Sequence, residues 1–159
     1  MTLTSILILM LFTFGASIFY VLLCIEKRTW AIAFPAKLSR SVPEEEVRFV
    51  HQSLQRLIPL LPPSNGIVVV GGGGALLWQA IQRGWDWAAV LILGIWLGGL
   101  LYIIVIGRIA AAVKDVWTTA SNGELHAVNR GVKNLIHQHF NGLLHAIGVI
   151  LLQLGLVVF

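Results

Sequence analysis

The sequence predicts an all-α, polytopic membrane protein: a bundle of four transmembrane helices with an amphipathic cytoplasmic helix and a long helix 3/helix 4 hairpin extending into the cytoplasm. Three observations predict it. First, 57% of the residues are hydrophobic, only 11% are charged and the mean hydropathy is +0.85, far too apolar for a soluble globule. Second, residues 1–25, 57–82, 87–107 and 134–159 contain no Asp, Glu, Lys or Arg, and each stretch supplies the roughly 20 apolar residues a spanning helix needs. Third, the Lys and Arg residues alternate by connection. Lys27, Arg28, Lys37, Arg40, Arg48 and Arg56 lie between helices 1 and 2, Arg83 alone lies between 2 and 3, and Arg108, Lys114, Arg130 and Lys133 lie between 3 and 4. The positive-inside rule then places both long connections in the cytoplasm and both termini outside, in the cell (inner) membrane. The net charge of +4 is topological, and no nucleic acid partner is expected.

The length suits a single transmembrane domain, 1–159. Helix 1 is expected over about 3–25. It lacks a basic n-region and a small-residue cleavage site, which favours a retained helix over a signal peptide. Cys24 is the only cysteine, so an intramolecular disulfide and a CxxC redox pair are excluded.

In the first connection, Ser41 and Glu44 have capping-box spacing, with Pro43 near the first helical position. Val47, Val50, Leu54 and Leu57 follow at helical spacing, opposite Glu45, Arg48 and Gln52. This predicts an amphipathic helix lying against the membrane or the bundle.

Helix 2 is expected over about 58–81. Pro59, Pro62, Pro63, Asn65 and four consecutive glycines, 71–74, predict an irregular start or a kink. The stretch IVVVGGGGALLW invites a dinucleotide reading, but no third glycine or alanine falls in register and no acid follows about 20 residues on. Small residues instead let helix backbones approach in a bilayer, so 71–74 reads as a close-contact surface. Gly94 and Gly98 in helix 3 form a similar step, and these glycine faces offer a route to a homo-oligomer.

Helix 3 is expected over about 87–107 and continues past the headgroups through 108–118. Ser121-Asn122-Gly123 reads as a turn, with Ser121 and Glu124 forming a second capping box. Leu125, Val128, Val132, Leu135 and Ile136 carry a helical pattern into helix 4, about 135–158. Trp30, Trp78, Trp85, Trp87 and Trp117 read as an aromatic belt, and Gln153 as an interhelical hydrogen bond.

His51, His126, His137, His139 and His145 all fall in the cytoplasmic half of this topology. On helix 4, His126, Arg130, Lys133, His137 and Asn141 share one face, with His145 a further step round it. His145 lies inside the apolar span, where a polar side chain faces a bundle interior or a wet cavity. Helix bundles build metal and haem sites from facing side chains. His51, His137 and His145 are therefore candidate metal ligands, with Glu26 as a further ligand or catalytic proton acceptor. His126 and His139 read as interfacial residues at headgroup depth.

ASIFYVLLCIEKRTW closing helix 1, VHQSLQRLIPLLPP opening helix 2 and GLLHAIGVILL in helix 4 resemble the anthrone-oxygenase-like family of small four-helix integral membrane proteins. The resemblance implies an oxygenase or oxidoreductase acting on a lipophilic, often aromatic substrate. Together with the histidines, this gives the first expectation: a membrane enzyme with an iron, copper or haem centre near the cytoplasmic face, oxidising a lipophilic small molecule or quinol. The prolines, glycines and Asn65 of helix 2 support a channel or carrier instead. The glycine faces support a third reading, a non-catalytic accessory subunit of a membrane complex.

Overall fold

The computed structural model describes residues 2–38 and 41–158; Arg40, counted above in the first connection, lies outside the described residues. Among these, all regular structure is helical. Four helical runs are long and apolar enough to cross a membrane: Leu3–Ala33, Glu44–Gln82, Trp87–Ile106 and Leu125–Val158.

The first run contains α1, Leu3–Glu26, capped by the Thr2 hydroxyl, which accepts from Ser5 N. A 3-10 turn, Lys27–Thr29, joins it to the short α2, Trp30–Ala33. The second run was expected as two separate helices and is continuous. The amphipathic α3, Glu44–Leu57, passes through a 3-10 turn, Ile58–Leu60, into α4, Leu61–Gly66, then a π-helical stretch, Ile67–Gly72, and α5, Gly73–Gln82. The prolines do not break the rod. Pro59 and Pro62 sit in the first positions of their segments, where a missing N–H removes no helical bond.

Neither expected capping box forms. Pro43, not Ser41, is the N-cap of α3, without a side-chain cap bond, and Glu44, Glu45 and Glu46 occupy the first turn, where negative charge suits the helix dipole. The last helix begins at Leu125 behind Glu124, whose carbonyl accepts from Ala127 and Val128 N. Ser121 is drawn away because its hydroxyl donates to Gln55 Oε1 at 2.7 Å.

Helix 3 is also interrupted. Following α6, Trp87–Leu101, a π-turn over Tyr102–Ile106 ends at Gly107. Arg108 then adopts a left-handed conformation (φ 51°, ψ 45°) and sends the chain into α7, Ile109–Thr118. The last helix, α8, Leu125–Val158, has 34 residues and is about 51 Å long at 1.5 Å per residue.

α8 is the spine, packed most extensively against α1. One hydrophobic cluster joins the end of α1 to α3, α7 and the first half of α8, through Leu22, Val50, Leu54, Val116, Val132 and Ile136. A second joins α1, α5, α6 and α8 through Ile8, Phe12, Leu76, Ile92 and Val149. As the pattern predicts, Val47, Val50 and Leu54 are buried, so α3 lies against the bundle.

The glycine run is filled by side chains. A Cβ on Gly73 would strike Trp96, and one on Gly72 would crowd Phe12 at 3.0 Å, whereas Gly74 faces open space. Gly94 and Gly98 have nothing within 4 Å of a Cβ position, so their step serves no contact within this chain. Trp78, Trp85, Trp87 and Trp117 are exposed.

Candidate functional site

The two clusters leave a cavity of about 460 Å³ between α1, α4, the π-stretch, α6, α7 and α8. Its walls are mainly apolar and aromatic, among them Phe12, Phe19, Leu22, Val68 and Trp96, with Asn65, Gln138, His139 and His145 as the polar groups. A mainly apolar cavity of a few hundred Å³ with a few convergent polar groups is the usual form of a small-molecule site.

His139 on α8 lines this cavity, and behind it the ring meets Glu26, the last residue of α1, which is not itself part of the wall. Both are buried, 3% and 0% exposed, and His139 Nδ1 lies 2.7 Å from Glu26 Oε1. With the carboxylate as acceptor, Nδ1–H donates, and the tautomer this fixes leaves Nε2 as the nitrogen for other chemistry. Glu26 Oε2 is buried with no partner. Thr29 Oγ1 donates to the Glu26 carbonyl at 2.9 Å, closing the end of α1, and Phe19 lies beside the imidazole with ring centroids 6.3 Å apart.

His145 sits in the cavity wall, and its Nε2 is buried without a partner. Gly99 on α6 makes room for this ring, because a Cβ there would overlap His145. Gly142, one turn before, similarly accommodates the Phe19 ring at 2.6 Å from a Cβ position. Small residues thus let bulky polar and aromatic rings into the bundle.

The other sequence-predicted residues lie elsewhere. His51 is fully buried beneath α3, its Nδ1 3.4 Å from Ser121 Oγ. It belongs to a clamp in which Gln55 Nε2 donates to Val116 O and Thr119 O, and Arg48 donates to Ser121 O and Gly123 O. His137 packs edge-on against Phe34, ring centroids 5.1 Å apart. With Asn141 it lines a separate, polar pocket at the Gly107–Arg108 break. Arg130 Nε lies 3.7 Å from Asp115 Oδ2, and His126 is exposed.

The predicted stripe on helix 4 is therefore divided between solvent, the polar pocket and the cavity. Among the described residues no three His, Cys, Asp or Glu side chains stand together as a metal-ligand set would. His139, expected as an interfacial residue, is buried and paired with Glu26, and its ring lines the cavity. Gln153, expected to bond across helices, is fully buried, and neither amide atom finds a hydrogen-bond partner among the described residues.

Asp86, at the far end of the molecule, is the N-cap of α6. The Ala89 backbone N–H that it accepts at 2.8 Å, with Arg83 beside it, holds its carboxyl below the usual carboxylate range. Comparison with protein-family models, curated proteins and solved structures finds no match to this chain.

Proposed function

We propose that this chain is a cell-membrane protein that takes a lipophilic molecule bearing a hydroxyl or carbonyl oxygen into the cavity and exchanges a proton with it at His139. The observation that carries the reading is His139 in the wall of an apolar cavity, backed at 2.7 Å by the buried Glu26 carboxyl behind it. A carboxylate on Nδ1 orients an imidazole and stabilises its protonated form, while Nε2 accepts or returns the proton. Such a transfer would be the proton half of the oxidation of a phenol or quinol, with iron, copper or haem taking the electrons if held here, and it supports reading the chain as a membrane oxidoreductase. His145, with its unpartnered Nε2 in the same wall, offers one donor to iron, copper or haem, while no set of three such side chains stands together among the described residues. Four spans run with the termini outside, and α3 and the α7/α8 hairpin lie on the cytoplasmic side, as the basic residues require.

Binding of 2-naphthol to the purified protein, followed by its own fluorescence, tests the site. Saturable binding is expected, weakened at least about tenfold by Leu100→Trp, which fills the cavity. Binding that is non-saturable or indifferent to this substitution would refute the reading. Metal analysis and a visible spectrum of protein from its native host test the redox part. Absence of metal, haem and any visible band from that material would remove it. In a Cys24→Ser background, cysteines at positions 37 and 122 should label from the cytoplasm and one at 86 from outside.

A further inference from the structure

We infer that the polar pocket at the break between α6 and α7 binds the headgroup of an anionic lipid, specifically a phosphodiester carrying a free hydroxyl. The pocket is distinct from the apolar cavity, with Gln138 as the single residue common to both walls.

Three features converge on a phosphate. Arg108, in a left-handed conformation, stands in the pocket wall at the start of α7. That helix has ten residues and no side-chain cap; the N–H groups of Ala111 and Ala112, which line the pocket, already donate to Arg108 O, so what the helix start brings to the pocket is the positive end of its dipole. Asn134 and Asn141 add amide donors from α8.

An independent observation calls for a hydroxyl. Gln138 is 7% exposed, and its Nε2 donates to Gly107 O at 2.7 Å. This fixes the amide with Oε1 buried and without a partner. Gly107 has no room for a Cβ because the Gln138 amide occupies that space. Asp115, at the rim, is a second acceptor and already faces Arg130. A ligand that satisfies the pocket brings an anion to Arg108 and an O–H to Gln138, which a phosphoglycerol headgroup does and a phosphocholine does not. Beside the pocket, Ile104, Val105 and Ile106 are all more than half exposed, an apolar strip on which acyl chains can lie.

Native mass spectrometry of the full chain released from dodecylmaltoside tests this with four probes: phosphatidylglycerol, phosphatidylcholine, phosphatidylmethanol and soluble glycerol 3-phosphate. Phosphatidylglycerol should bind about tenfold more tightly than phosphatidylcholine, and about fivefold more tightly than phosphatidylmethanol, which has the same charge and no hydroxyl. Arg108→Gly, chosen because glycine adopts the left-handed region freely, should abolish the first preference while the protein stays folded. Gln138→Leu should abolish the second. Equal binding of all three lipids by the wild type, or an Arg108→Gly protein that keeps its preference, would overturn the inference. So would glycerol 3-phosphate competing as well as the lipid, since the site would then serve a soluble phosphate ester.

Discussion

Glu26 Oε1 and His139 Nδ1, 113 positions apart in sequence, lie 2.7 Å apart inside the bundle and join the end of α1 to the middle of α8. Removing one partner leaves the other buried and uncompensated, a loss of about 3–5 kcal/mol. His139→Leu and Glu26→Leu should each destabilise by that order. The double substitution should cost clearly less than the two added together, because an apolar pair of similar volume removes both desolvation penalties. A double-mutant cycle on unfolding in detergent measures this, and additive losses would show that the pair is not coupled.

Gly99 and Gly98 are neighbours with opposite expectations. A Cβ at Gly99 meets the His145 ring, whereas one at Gly98 meets nothing within 4 Å. Gly99→Ala should displace His145 and weaken 2-naphthol binding several-fold, and Gly98→Ala should leave binding unchanged. Identical behaviour of the two variants in the same titration would contradict the placement of His145.

The same contrast divides the glycine run. Gly73→Ala drives a methyl into Trp96 and should lower thermal stability in detergent. Gly74→Ala meets open space in α5 and should be neutral, or stabilising by up to about 1 kcal/mol through helix propensity. Melting curves of the two variants decide it.

Gln55 holds the 116–121 segment with two donated bonds and one accepted bond. Gln55→Leu leaves two backbone carbonyls and the Ser121 hydroxyl to find other partners, at about 1–3 kcal/mol. The turn at 119–123 should then become the earliest site of limited proteolysis. A digestion pattern identical to the wild type would show that the clamp is dispensable.

Asp86 provides a pH test. Its carboxyl titrates below the ordinary range because it caps α6 at Ala89 and pairs with Arg83. A depressed folded-state pKa means that its stabilising contribution is complete above about pH 4, the unfolded value, and is lost as pH falls through the folded value. Asp86→Ala should therefore melt below the wild type at neutral pH, with the two curves converging under acid conditions. A gap independent of pH would argue against charge-dependent capping.

The four apolar runs and the buried face of α3 were legible because they rest on composition and on local 3.6-residue spacing. The Glu26–His139 pair has its own signal in the sequence. Val128, Val132, Leu135, His139, Gly142, Ala146, Val149 and Gln153 recur at alternating steps of four and three, and all are buried. His139 thus occupies a core position of the repeat, whereas the polar stripe runs along a neighbouring face. The unused capping boxes failed for a different reason. Ser121 has the right local spacing, but Gln55, 66 residues away, competes for its hydroxyl. The turn at Arg108 has no local signature, since nothing in a Gly-Arg pair marks the arginine for the left-handed region.

The π-helical stretch Ile67–Gly72 acts as a spacer in angle. The rod that contains it is gripped twice, by the Gln55 clamp near one end and by Phe12 and Trp96 around Gly72 and Gly73 near the other. A π-turn takes up more residues than an α-turn, so it sets the phase between the two grips. Losing a single residue, Val69 for instance, would turn one grip by roughly 100° relative to the other and carry the glycine notches away from the rings that fill them. The number of residues between Gln55 and Gly73 is therefore constrained as tightly as the identity of either.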